Sequence, residues 1–166
     1  MAFTLTSTDF KDGDYLGQDH VMGADFGFPC AGGNISPALA WTDPPAGTKS
    51  FAVTCFDPDA PTGSGFWHWL VVNLPADCRE LPRGAGSTTP EGMPPGALQT
   101  RTDTGLPGFA GACPPEGDHP HRYLFTVHAL DTEAVPVTAE TMPAVVGFNL
   151  HFATLAKATL MGLYKR

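Results

Sequence analysis

The sequence predicts a mainly β protein, either a sandwich of two sheets or a sheet that helices cover. Proline and glycine are abundant, with 17 and 19 residues among 166, while charged residues make up only 16%. This composition favours short strands and ordered turns over a helical bundle. Several apolar segments have the length of strands, and some are apolar on both faces, as central strands of a covered sheet are.

The length and the even distribution of apolar residues indicate one domain that spans residues 1–166. Hydrophobic residues make up 42% of the chain, and a domain of this size buries roughly 70% of its unfolded surface. No internal repeat or low-complexity tract is visible. The Pro- and Gly-rich segments are short, so they are interpreted as loops rather than linkers.

Five strands are predicted in chain order, each bounded by Gly, Pro, Asn or Asp. They cover residues 3–7, 38–41, 50–56, 68–73 and 122–130. The last three are apolar on both faces and are therefore predicted to be central. The segment 81–115 has little periodicity, and so long a connection is typical of a functional loop.

A helix is predicted from Pro143 to the end of the chain. Its evidence is a spacing of three or four, as one helical face requires, between Val145, Phe148, Phe152, Leu155 and Thr159. Thr141 could cap this helix, and Lys165 and Arg166 suit its C-terminal end. We expect it to dock on the sheet rather than to span a membrane, because polar residues interrupt the apolar run at Asn149, His151 and Lys157.

The formal net charge of −8 disfavours binding to nucleic acid or to an anionic membrane surface. Any anion must therefore be held by a local cluster. The first residues lack the basic flank and apolar stretch of a signal peptide, so a cytoplasmic location is expected. Free thiols are predicted rather than a disulfide or a zinc site, because no CxxC spacing joins Cys30, Cys55, Cys78 and Cys113.

Stiff loops are predicted to bring an acid and two histidines to one edge of the sheet. Asp57 directly follows the strand 50–56, and prolines fix the loop after it. If this strand pairs antiparallel with the one that begins at His68, the two side chains meet at the same edge. A second proline-rich loop ends at His121, which shares a strand face with Tyr123.

The residues at this edge suit an anion. Imidazole and backbone N–H groups can donate to a phosphate or a carboxylate, and a nearby acid with aromatic faces attracts a cation, so a zwitterionic head group also fits. Strict strand alternation predicts that His68 lies on the face of Leu70 and Val72, with Trp69 pointing away.

These segments resemble the phosphatidylethanolamine-binding protein family, also called the Raf kinase inhibitor-like family, and its bacterial branch in particular. The resemblance rests first on DPDAP at 57–61, WHWLVVN at 67–73 and PHRYLFTVHAL at 120–130. NISPALAW, LQTRTD and VGFNLHFATLAKA add to it. It spans nearly the entire chain and keeps the order of the motifs.

The resemblance implies a large antiparallel sheet packed on a smaller one, flanking helices, and a small anion pocket at one end. By motif position, the pocket residues are Asp57, Asp59, Ala60, His68, Cys113, Pro114, His121 and Tyr123. It further implies that the partner is a small anionic or phosphorylated ligand such as a phospholipid head group. Because no activated nucleophile is visible in the sequence, we expect a non-enzymatic binding protein without a cofactor. Three residues depart from the family pattern, namely Ala112, Cys113 and Ala153.

Two other functions stay open. His68, His121 and Asp57 could act as a facial triad of metal ligands in a metal-dependent enzyme, although no HExxH spacing supports it. Distant family members restrain kinases, so a kinase regulator is an alternative by analogy alone. Ser64 lies in a turn without the strand and helix of a nucleophile elbow, so it is not a predicted nucleophile. A homodimer is compatible with the sequence but not required by it.

Overall fold

The computed structural model describes residues 1–89 and 91–166, which form two antiparallel sheets and one α-helix. The strands are β1 Thr4–Thr6, β2 Leu39–Thr42, β3 Ser50–Asp57, β4 Phe66–Pro75, β5 Glu80–Leu81, β6 Leu98–Gln99, β7 His121–Leu130 and β8 Thr154–Tyr164. Helix α1 covers Pro143–Ala153, and short 3-10 helices cover Gln18–His20 and Ala24–Phe26. None of the helices in these two ranges is long and apolar enough to cross a membrane.

The larger sheet has the strand order β6-β4-β3-β7-β8 and the smaller one the order β1-β2-β5. Every neighbouring pair is antiparallel. The predicted fold class is thereby confirmed. All five predicted strands are present, and the three predicted to be central form the middle of the larger sheet as β4, β3 and β7.

Both faces of the larger sheet are packed with apolar side chains. One face meets the smaller sheet, where Phe51, Trp69 and Phe125 pack with Leu39 and Trp41. The other face packs under α1, in a second cluster of buried residues that includes Leu70, Val72, Leu130, Val146 and Leu150. Burial on both faces explains why these strands read as nearly continuous apolar runs.

The C-terminal helix is shorter than predicted, because it ends at Ala153 and the chain continues directly as β8. Along the first half of β8, less and more exposed residues alternate, which is the period of a strand. Residues 154 and 156–164 pair with the whole of β7. The backbone bonds of that pairing outweigh the weak helical spacing, since tertiary context overrides local propensity.

The predicted caps of this helix are also wrong. Met142 is the N-cap residue and makes no side-chain capping bond, while the Thr141 hydroxyl accepts a hydrogen bond from the backbone N–H of Thr138. Lys165 and Arg166 lie beyond β8, far along the chain from the end of α1.

The prediction of free thiols is wrong for two of the four cysteines. Cys30 and Cys113 form a disulfide across a sequence separation of 83 residues, whereas Cys55 and Cys78 are free. The fold brings the two loops together, because the backbone N–H of Met22 donates to the carbonyl of Ala112 at 2.9 Å. The spacing of the cysteines in the sequence does not reveal that contact.

Candidate ligand-binding site

A cavity of about 330 Å³ opens at one end of the larger sheet, where β3 ends and where β4 and β7 begin. Seven of the eight residues predicted for a pocket line it: Asp57, Ala60, His68, Cys113, Pro114, His121 and Tyr123. The side chains at 57, 68 and 121 therefore share one cavity, as the sequence predicted.

His121 is held between two carboxylates. Its Nδ1 donates to Oδ2 of Asp57 at 2.7 Å, and its Nε2 donates to Oδ2 of Asp118 at 2.9 Å. Burial alone would lower the pKa of His121, but the two carboxylates outweigh burial and raise it. Because both ring nitrogens donate to carboxylates, the ring is an imidazolium with no N–H left for a ligand.

Asp57 also fixes the loop that follows β3. Its Oδ1 accepts the backbone N–H of Asp59 at 2.8 Å, which closes a tight turn. The carboxylate of Asp57 is thus bonded on both oxygens and almost fully buried. It is a fixed part of the cavity floor before any ligand arrives.

Asp59 is the predicted pocket residue that does not line the cavity. Its carboxylate accepts hydrogen bonds from Nε and Nη2 of Arg122 at 3.0 and 2.9 Å, and from the backbone N–H of Arg122. The hydrogen bond from the guanidinium is the main reason that the pKa of Asp59 falls to about 2. Asp59 therefore holds the loop against the start of β7, with both of its oxygens bonded to Arg122.

His68 reaches the cavity because of a β-bulge in β4. The register pairs Cys55 with Trp69 and then Phe56 with Trp67, so His68 is the extra residue between them. A bulge of this kind redirects one side chain and is common beside functional sites.

The prediction that His68 lies on the same strand face as Leu70 and Val72, which assumed strict alternation of side chains, is therefore wrong. Leu70 and Val72 pack under α1, whereas His68 lies in the cavity beside Phe66 and Tyr123, with ring centroids 4.9 and 5.2 Å away. The sequence gives the two strands but not the register shift between them. The bulge could not be found from periodicity alone.

The hydrogen bond that His68 makes shows which of its two ring nitrogens carries the proton. Nδ1 donates to the carbonyl of Ala110 at 2.9 Å, and a carbonyl can only accept, so Nε2 is the nitrogen that gains or loses a proton. Burial lowers the pKa of His68, and the hydrogen bond to Ala110 opposes this only in part. The ring is therefore neutral near pH 7 and becomes a donor through Nε2 when it is protonated.

The hydroxyl of Tyr123 is buried and makes no hydrogen bond of good geometry with the described residues, although the carboxylate of Asp57 and the backbone of Cys113 lie near enough to influence its pKa. Burial, with the nearby carboxylate of Asp57, raises the pKa of Tyr123 far above its usual range, so the group is a neutral O–H donor. An unpaired buried hydroxyl is costly. In a cavity wall it is available to a ligand.

Two loops form the walls of the cavity and are linked twice. The Cys30–Cys113 disulfide joins them, and Arg166 bridges them through Nε to the carbonyl of Pro114 at 2.8 Å and Nη1 to that of Pro29 at 3.4 Å. Arg166 also lines the cavity. Sequence reasoning missed this role, because it depends on where β8 ends.

Asp118 was missed as well, although a signal was present. It lies three residues before His121 in the same proline-rich loop, and an acid near a buried histidine is a common partner. In the described part of the chain, no group of three His, Cys, Asp or Glu residues is placed to hold a metal ion. In the alternative metal triad, His121 donates to Asp57 instead of offering a lone pair.

A small cavity at the end of the larger sheet of a β-sandwich is what the motifs of the sequence led us to expect. A comparison with family models agrees, because residues 6–165 match the model described as phosphatidylethanolamine-binding protein. The chain belongs to the phosphatidylethanolamine-binding protein family.

Individual relatives support the same assignment. The chain is 58% identical to the UPF0098 protein YbhB of Escherichia coli strain K12, over 96% of this chain and 98% of that protein. It is 51% identical to the UPF0098 protein YbcL of the same strain, over 99% of this chain and 88% of that protein.

Solved structures match as well. The crystal structure of E. coli YbcL, described as a new member of the mammalian PEBP family, has a TM-score of 0.96 and 49% identity over 100% of this chain and 99% of that chain. A phosphatidylethanolamine-binding protein from Plasmodium vivax, at 14% identity and a TM-score of 0.60 over 100% of this chain and 86% of that chain, shares the fold alone.

Proposed function

We propose that the cavity is a preformed anion pocket for a phosphate-bearing group, and that the protein binds this group without making or breaking a bond. The family description names a phospholipid with a phosphate in its head group. The volume of about 330 Å³ suits a small head group or a phosphorylated fragment rather than a whole lipid.

The observation that carries the proposal is the unpaired Tyr123 hydroxyl beside His68. Tyr123 is a permanent O–H donor, and His68 becomes an N–H donor through Nε2 when its ring gains a proton. A bound anion supplies the negative charge that favours this proton. Arg166 adds a fixed positive charge at the rim.

His121 has a different role from the one that its sequence position suggests. Its single positive charge faces two carboxylates, Asp57 and Asp118, so these three groups together are net negative and cannot themselves attract an anion. We therefore assign anion binding to His68, Tyr123 and Arg166, and the positioning of the β3 loop to His121.

Binding without chemistry is supported by the state of the lining groups. Cys113 is held in a disulfide, and Tyr123 keeps its proton because its pKa is raised. Within the described lining residues, the Thr62 hydroxyl donates to the carbonyl of Gly65 and has no base beside it. None of these is an activated nucleophile.

The disulfide bears on the location of the protein. Disulfides are rare in reducing cytoplasm, so the Cys30–Cys113 bond weighs against the cytoplasmic location predicted from the sequence. A kinase partner and a homodimer stay predictions.

Isothermal titration calorimetry with inorganic phosphate and with phosphoethanolamine tests the proposal. We expect His68→Ala to weaken phosphate binding about tenfold or more, since a charge-assisted hydrogen bond is lost. His151→Ala, an exposed histidine on the other face of the larger sheet, is the matched control and should bind normally. Tyr123→Phe should weaken binding by a smaller factor of roughly five.

The two ligands separate the sources of the phosphate group. Tighter binding of phosphoethanolamine favours a lipid head group, and equal binding favours a simple phosphate. An affinity that does not respond to His68→Ala would overturn the pocket assignment. Phosphorus NMR that shows cleavage of phosphoethanolamine would overturn the non-enzymatic part.

A further inference from the structure

We propose that the opposite face of the larger sheet carries a second binding site, for an organic monocarboxylate with an aromatic or aliphatic body. The site is the cleft between α1 and β8, whose wall and floor include Trp67, His128, Gly147 and Lys157. Its volume of about 690 Å³ is roughly twice that of the first cavity. Small-molecule sites commonly have volumes of about 300–1,000 Å³.

One end of the cleft is aromatic. The rings of Phe56 and Trp67 lie 4.6 Å apart between centroids and both line the cleft. Gly147 of α1 faces the indole, and a Cβ at that position would lie 3.4 Å from Cζ2 of Trp67. Because Gly147 has no side chain, the helix backbone packs close to the indole, and both residues form part of the cleft wall against which an apolar ligand body would lie.

The other end of the cleft carries nitrogen groups. Lys157 of β8 lies opposite His128 of β7 in the sheet register, and His151 of α1 completes this end. The Nε2 of His128 lies 3.2 Å from the Thr54 hydroxyl. Burial and the charge of Lys157 lower the pKa of His128 to about 4, so this ring is neutral and the lysine holds the permanent charge.

The charge of Lys157 is not matched by a carboxylate. No acidic residue lines the cleft in the part of the chain that the structure describes, and none of the ion pairs found there includes Lys157. An anion is repelled by the overall charge of −8, so it must be bound at a local site such as this one. One fixed charge suits a monocarboxylate better than a phosphate dianion.

The rim of the cleft extends the apolar surface. Leu155 lines the cleft and is about half exposed. On the adjacent face of α1, Phe148 and Phe152 are 65% and 70% exposed. A helix that is apolar on nearly all sides is normally covered. Inside the cleft, Phe56, Trp67 and Leu155 account for the apolar body of the proposed ligand, and Lys157 accounts for its carboxylate.

The test uses 3-phenylpropionate and its uncharged analogue 3-phenylpropionamide as probes, with proton–nitrogen NMR spectra that map each titration. We expect saturable shifts at the Trp67 indole N–H and at the backbone N–H of Gly147. The carboxylate should bind about tenfold more tightly than the amide, and Lys157→Met should abolish that difference while it leaves amide binding intact.

Two further variants keep the outcome decisive. Ala144→Phe places a ring in the cleft from an exposed position and should abolish binding of both probes. Lys11→Met removes an exposed lysine outside the cleft and should change neither. Equal affinity of the two probes, an unaltered preference in Lys157→Met, or shifts centred on His68 and Tyr123 would overturn the proposal. So would a dimer that buries Phe148 and Lys157 and binds neither probe.

Discussion

The two faces of the larger sheet differ in how their charged groups are paired. On the cavity face, His121 is bonded to two carboxylates and the loop walls are joined by a disulfide. On the α1 face, Lys157 has no ion pair among the residues described, and Phe148 is exposed. A buried charge requires a partner, and an exposed one does not. The side chains around the cavity are therefore fixed in position before a ligand binds, whereas Lys157 is not.

Substitutions of one charge on each face should give the largest contrast. Asp57→Ala leaves the buried His121 with a single carboxylate, and breaking a buried pair costs about 3–5 kcal/mol. Lys157→Met should change the free energy of unfolding by less than about 0.5 kcal/mol. Urea denaturation measures both, and a similar small loss for the two variants would contradict the contrast.

The two variants should also differ in how their free energies of unfolding depend on pH. The pKa of His121 is raised in the folded protein, so its ion pairs stabilise the fold fully below the unfolded value of about 6.5 and lose this contribution as pH rises through the folded value. The destabilisation caused by Asp57→Ala should therefore shrink at alkaline pH. The effect of Lys157→Met should stay small throughout.

The disulfide should contribute the next largest effect. It closes a loop with a sequence separation of 83 residues, and bonds of this kind typically stabilise a fold by about 2–4 kcal/mol. We expect a Cys30→Ala, Cys113→Ala double variant to lose that amount in urea denaturation and to bind phosphate more weakly. The double variant Cys55→Ala, Cys78→Ala is the control for binding, because neither thiol lines the cavity.

Sulfate binding should depend on pH only through the cavity. The charge of sulfate is constant between pH 5 and pH 8, so any change reports on the protein. Because the pKa of His68 is lowered in the free protein, affinity should rise as pH falls, by up to about tenfold per pH unit. His68→Gln should remove this slope in calorimetry, and a slope that survives would assign the proton to another group.

Among the variants near the cavity, the smallest effect is expected for Asp59, which pairs with Arg122 beside the cavity. The guanidinium is half exposed, and exposed pairs contribute about 0–1 kcal/mol. Asp59→Asn should therefore destabilise the fold by less than about 1 kcal/mol near pH 7 and leave phosphate affinity within about twofold. A loss of stability as large as that of Asp57→Ala would show that this pair stabilises the fold like a buried one, and a large loss of phosphate affinity would show that Asp59 takes part in binding.

The sequence predicted most of the fold because apolar strands and proline-rich loops have local causes. It also predicted that Asp57, His68 and His121 share one cavity, on the condition that β3 and β4 pair antiparallel, as they do. The pairing of β3 with β7, which brings His121 to the same end, was not predicted. It failed at β8, where the helical spacing of Leu155 competes with the pairing to β7. A local pattern of apolar residues does not show which strand a segment will pair with.

The remaining errors have the same origin. The bulge at His68 depends on a register that only the paired strands define. The Cys30–Cys113 bond and the bridging role of Arg166 depend on loops that meet only in the folded chain. These three features were missed because each is set by a contact between distant parts of the chain, whereas the strands and loops were found from local composition.

The central claim is that His68, and not His121, responds to the anion. Nitrogen NMR of the histidine rings, titrated in pH with and without phosphate, tests it directly. We expect His68 to carry its proton on Nδ1 in the free protein and to gain a second on Nε2 with phosphate, with its pKa raised by about one unit or more, while His121 stays doubly protonated. A His68 ring that remains neutral in the saturated complex, while the His121 signals shift, would contradict the claim.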